Sequence, residues 1–149
     1  MFRKSEVGTR KGFTLVELAV VIVIIGVLAA FGVPRFLKSV ERSKAAEAFQ
    51  YLSAVRAAQE RYLAKEGTYT TDLANNLDIT QSDPKYFTLG EVTAEQAADG
   101  NPTWTLTLTR IEATSSYGPY TVTFTNEGWD STSGDLNIAT IPDINPMGT

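Results

Sequence analysis

Neither cysteine nor histidine occurs among the 149 residues. Their absence removes disulfides, thiol nucleophiles, imidazole bases and almost every zinc site at once. Any folded part must therefore be held by packing and hydrogen bonds alone. Cations are scarce in the second half: from Gly67 onward only Lys85 and Arg110 are basic, against eleven acids. Such a region repels phosphates, so no direct nucleic-acid site is expected. The formal net charge of −4 hides an asymmetry. Arg3, Lys4, Arg10 and Lys11 share the first twelve residues with one acid, Glu6; the remainder carries nine basic and sixteen acidic residues, a net of −7. The acidic balance reads as a means of staying soluble. What the chain does have is apolar content, 43% of residues, enough for a real core. Its length suits one compact domain with an appendage.

The order of segments is legible from composition and period. Residues 1–12 (MFRKSEVGTRKG) are polar, basic and without apolar period, as a targeting or processing segment is. Residues 13–33 are apolar except for Thr14 and Glu17, and a helix of that length reaches about 32 Å, enough to span a bilayer core. Pro34 follows and predicts a kink, because proline removes a donor and crowds the carbonyl four residues back. Over 35–66 the pattern turns amphipathic. Leu37, Val40, Lys44, Ala48, Leu52, Val55, Gln59 and Tyr62 recur at helical spacing, widened by Phe36, Phe49 and Leu63, while charges such as Glu41, Arg42, Glu47 and Arg56 fall mostly elsewhere. Gly67 supplies the expected C-cap.

Beyond 67 the period drops to two. Trp104, Leu106 and Leu108 alternate with threonines, and so do Tyr120, Val122 and Phe124, which predicts two half-buried strands joined by a loop over 112–119. Residues 86–92 and 136–141 are further strand candidates, and the tail after Pro142 reads as irregular. A hairpin and an amphipathic helix are each marginal alone, so the sheet is expected to pack on the helix stripe. The expected fold class is α+β: a long kinked N-terminal helix, half membrane-spanning and half amphipathic, on a small antiparallel sheet. The expected organisation is 1–12 as leader, 13–34 as membrane helix, 35–67 as its amphipathic half, and 68–149 as a β-rich head with an irregular C-terminal loop.

One short stretch carries the chemistry. Lys11-Gly12-Phe13-Thr14-Leu15-Val16-Glu17-Leu18 resembles the processing site of type IV prepilins and type II secretion pseudopilins. The close resemblance covers residues 10–36, with Gly26 and Pro34 standing where those families commonly loosen the helix on assembly. It implies the pilin fold, removal of the leader by a prepilin peptidase between Gly12 and Phe13, N-methylation of Phe13, and Glu17 pairing with the Phe13 ammonium of a neighbouring copy to set register in a homo-oligomeric filament. It implies a single-pass inner-membrane precursor with a cytoplasmic N-terminus, taken up by pilus or secretion machinery. The residues agree with that chemistry. Gly12 leaves the scissile bond open and flexible. A carboxylate within an apolar helix costs about 2.5–3.5 kcal/mol on insertion scales and needs a partner. No Lys or Arg lies one turn from Glu17, where Phe13, Thr14, Val20 and Val21 stand. The alternative for Glu17 is that it snorkels to the interface from near the helix start.

The expected function is a structural subunit rather than an enzyme, in a type IV pilus-like filament outside the cell for adhesion, motility or DNA uptake. Two alternatives stand beside it. One is a type II secretion pseudopilin in a periplasmic pseudopilus. The other, of a different class, is a signal-anchored or secreted β-rich binding domain. In support of the latter, Val27-Leu28-Ala29 before Ala30 fits a small-residue signal-peptidase site, although Glu17 and the continuing apolar run weigh against it. Counting basic residues gives no orientation, since Arg35, Lys38, Arg42 and Lys44 balance the leader. No cofactor is expected; Asp130 and Asp135 flank a Gly/Ser loop and are weak calcium candidates without the EF-hand spacing. Many pilins close their C-terminal loop with a disulfide. This chain departs from that pattern, which leaves 126–149 to be held otherwise, with Trp129 as a packing anchor.

Overall fold

The computed structural model describes residues 12–98, 100–134 and 137–148. The chain divides into two compact units, with the boundary after Phe36, two residues beyond the expected one. One helix, α1 (Leu15–Glu66), contributes to both and continues through Pro34.

In the first unit, every residue from Leu15 to Phe36 is exposed. This part of α1 is long and apolar enough to cross a membrane by length and composition. A helix that shows its apolar side chains in all directions finds a suitable medium in lipid or in copies of itself.

In the second unit the remainder of α1 packs against an antiparallel sheet. A short helix α2 (Leu73–Asn76) precedes β1 (Phe87–Leu89), β2 (Thr93–Gln96), β3 (Pro102–Arg110), β4 (Thr121–Thr125) and β5 (Gly128–Asp130). The strand order is β1-β3-β4-β5, with β2 also on β3. The register pairs Leu106 with Phe124 and Leu108 with Val122, so the apolar sets of β3 and β4 share one face. That face meets Ala45, Ala48, Leu52, Val55 and Ala58 of α1 to form the core. On the other face the threonines bond each other, as Thr107 Oγ1 and Thr123 Oγ1 do at 2.8 Å. α1 stops where Gly67 adopts φ 77° and its N–H donates to Leu63 O at 2.8 Å, the left-handed helix end that glycine alone takes without strain.

Four expectations need correction. The buried stripe of α1 begins at Glu41, not at Phe36 and Leu37, which remain exposed. Glu41, expected on the polar face, is only 3% exposed. Residues 136–141 do not form a strand: Asn137 makes one isolated bridge to Thr121, and Ile138–Thr140 turn as a 3-10 helix, Leu136 lying outside the described residues. Asn137 drives that turn by accepting from Ala139 N at 2.8 Å, a local bond that competes with strand pairing. The candidate at 86–92 shortens to β1, which ends just before Gly90. There the backbone approaches Thr107 O so closely that an added Cβ would sit 2.7 Å from it.

Candidate functional site

The helix start is built by a reciprocal cap. Thr14 Oγ1 accepts from Glu17 N at 3.2 Å, while Glu17 Oε2 accepts from Thr14 N at 2.9 Å and from Thr14 Oγ1 at 2.8 Å. This is a capping box, in which two otherwise orphaned helix donors are satisfied by the two side chains. The T-x-x-E spacing announces it in the sequence, yet attention to cations passes it over. One oxygen of Glu17 is thus engaged from within the chain. Among the described residues no cation reaches the carboxylate, and Glu17 is exposed. Phe13 stands just before the cap, 80% exposed, and Gly12 is exposed beside it. A Cβ at Gly12, Gly26 or Gly32 would meet nothing within 4 Å. Residues 1–11 lie outside the described residues, so the leader apart from Gly12 does too. Gly12, Phe13 and Glu17 therefore sit within one exposed stretch, while Gly26 and Pro34 lie further along the helix.

The C-terminal acids behave differently. Asp130 Oδ1 accepts from Thr132 N and Thr132 Oγ1, both at 2.7 Å, so its carboxylate turns in on its own loop. Those bonds hold its carboxyl below the usual range. Asn137 Nδ2 donates to Asp130 O and Ser133 O, each at 3.0 Å, and so ties the loop carbonyls. Asp135 lies outside the described residues. Among the described residues no group of three or more acids, histidines or cysteines is placed to hold a metal ion.

The same contacts show how a C-terminal region without a disulfide is fastened. Ile138 and Ile144 are fully buried, Asn137 and Asn145 nearly so. Lys38 Nζ donates to Asp143 Oδ2 at 2.6 Å, and Arg42 Nη2 lies 3.3 Å from Pro146 O and 3.4 Å from Gly148 O. Trp129 packs edge-on against Phe49 with centroids 5.5 Å apart, the anchoring role expected of it.

A second acid escaped the sequence reading. Glu41 is buried against Arg110, which is 1% exposed. Arg110 Nε donates to Glu41 Oε1 at 2.6 Å and Nη2 to Oε2 at 3.2 Å, a two-pronged grip. The Tyr120 hydroxyl donates to Oε1 at 3.0 Å, and Lys44 Nζ stands 3.4 Å from Oε2. The remaining guanidinium donors reach Tyr86 O, Ile111 O, Thr114 O and Thr114 Oγ1 at 2.7–3.0 Å. Burial pushes the Glu41 carboxyl up, but the hydrogen bonds of Arg110 and Tyr120, joined by the charges of Arg110 and Lys44, outweigh it and hold the pKa below its ordinary value. A signal was present: Arg110 continues the inward phase of Trp104, Leu106 and Leu108, and Glu41 lies one turn before Ala45. Two inward positions of opposite charge predict a pair.

Comparison with known proteins agrees with the N-terminal reading. The prokaryotic N-terminal methylation motif matches residues 8–33. The type IV major pilin protein PilA of Myxococcus xanthus is 43% identical over 67 residues, 45% of this chain and 30% of that protein. Fimbrial protein EcpC of Eikenella corrodens is 42% identical over 65 residues, 44% of this chain and 42% of that protein. The type IV narrow pilus major component PilA5 of Thermus thermophilus is 52% identical over 48 residues, 32% of this chain and 41% of that protein. The matched stretch spans less than half the length of each of these relatives. The motif at residues 8–33, these relatives, and an apolar helix continuing into a small antiparallel sheet domain make the chain similar to type IV pilins over less than half of its length in sequence.

Proposed function

We propose that the chain is a structural subunit, not an enzyme, of a type IV pilus-like filament. It is made as an inner-membrane precursor with its N-terminus in the cytoplasm. A prepilin peptidase cuts between Gly12 and Phe13, the new Phe13 amine is N-methylated, and assembly machinery draws the subunit from the bilayer into the filament. Glu17 meets the Phe13 ammonium of a neighbouring copy there and sets axial register, since buried pairs specify geometry better than they add stability. Gly26 and Pro34 are the points at which the helix loosens in that transfer.

The observation that carries this reading is a carboxylate held at the head of an exposed apolar helix with one oxygen engaged by its own cap and no cation beside it among the described residues. A second oxygen is left for an ammonium from another molecule. The names of the relatives, a major pilin, a fimbrial protein and a pilus component, support a pilus over a pseudopilus.

Intact mass of the mature protein tests the processing. It should correspond to a chain starting at Phe13 with one added methyl group. A start at Ala30 would instead support a secreted domain that has lost its apolar segment.

A further inference from the structure

Four polar side chains, Lys38, Glu41, Arg42 and Lys44, occupy less than two turns of α1, about 9 Å of helix axis. Each reaches a segment far along the chain. Lys38 and Arg42 hold the C-terminal segment at Asp143, Pro146 and Gly148. Glu41 and Lys44 hold the end of β3 and the β3–β4 loop, through Arg110, Tyr120 and Thr114 O. The loop and the C-terminal segment are thus fastened to the helix at one level, the level of the first buried residue of α1.

We propose that this ring of ties is a shear collar, which keeps the head domain seated on α1 when force is applied along the helix. The apolar contacts beyond it, Ala45, Ala48, Leu52, Val55 and Ala58, are non-directional and give way gradually as surfaces slide. A two-pronged Arg–Glu pair at 2.6 and 3.2 Å has strict geometry and must break before any sliding begins. A buried ion pair adds little to equilibrium stability compared with apolar side chains of like volume. Its placement where the helix enters the head matters most for resistance to load, which by chain connectivity enters through the residues before Leu37. The proposal deepens the filament reading and rests on it for the source of the load. In a filament whose apolar helices hold one another, a pull on a head is transmitted through this level of α1.

The sequence lacks cysteine, so handles can be attached through Gly32→Cys and Glu95→Cys, both at exposed positions, on the mature chain in detergent micelles. Single-molecule pulling then reads the rupture rate at fixed force. Glu41→Met/Arg110→Met should keep a melting temperature near that of the parent chain yet rupture about tenfold faster, the effect of losing one charged hydrogen-bonded pair. Val55→Ala, a core change without polar contacts, should rupture only as much faster as its lowered thermal stability dictates. A double variant that ruptures at the parental rate overturns the collar. If the double variant does not fold, Lys38→Ala/Arg42→Ala carries the test through its exposed ties: rupture about threefold faster supports the collar, and an unchanged rate overturns it. Rupture is read on single molecules, so a chain that never forms filaments but ruptures as described overturns the filament reading alone.

Discussion

The two units each set a glutamate in apolar company, and they treat it in opposite ways. Glu41, in the head, finds every partner inside its own chain: Arg110, Tyr120 and Lys44. Glu17, on the exposed apolar helix, finds only Thr14 among the described residues. The difference separates a domain that completes its own chemistry from a segment whose carboxylate, in the function proposed above, keeps one oxygen for another molecule. It also separates the measurements. Changes at Glu41 should appear in folding of the isolated chain, and changes at Glu17 in assembly.

The largest effect expected from this contrast is at Glu17. Glu17→Val should abolish filaments while the chain still inserts in the membrane and its head melts at the parental temperature. Filaments in normal number would erase the distinction. Next comes Arg110→Met alone, which strands a buried carboxylate and should cost the head about 3–5 kcal/mol, visible as a lower melting temperature. A loss under 1 kcal/mol would mean that Glu41 is not buried as described. Acid should then divide the two glutamates further. The folded pKa of Glu41 lies below the unfolded one, so the pair contributes stability above the ordinary value of 4.5, and the contribution falls away as pH drops through the lowered folded value. The parent chain should accordingly lose stability more steeply below pH 4.5 than Glu41→Met/Arg110→Met does. The smallest effect is at the cap. Thr14→Val removes the hydroxyl and should speed amide exchange over the first turn of α1, whereas Thr14→Ser should not.

Strong periods were the legible part of this molecule. The alternation around Trp104–Leu108 and Val122–Phe124 placed β3 and β4 correctly because both strands turn apolar side chains to the core and threonines to the opposite face. β2 and β5, of four and three residues, are too short to show a period, and β2 contains Glu95 and Gln96. Residues 136–141 looked like a strand by composition, but the side chain of Asn137 bonds its own backbone and tips the segment into a turn. At the two acids a contact went unread for related reasons. Around Glu17 the absence of a cation one turn away drew the eye from a hydroxyl three residues back, that of Thr14. Sorting Glu41 by its charge rather than by its position on the stripe put it on the wrong face.

The fastening of residues 143–148 to Lys38 and Arg42 bears on the birth of the molecule. A nascent chain that has emerged only as far as β5 has α1 and all five strands but not the residues that close over them. The head cannot lock until residues 143–148 have left the ribosome as well. Until then, whatever guards the growing polypeptide faces a half-closed core.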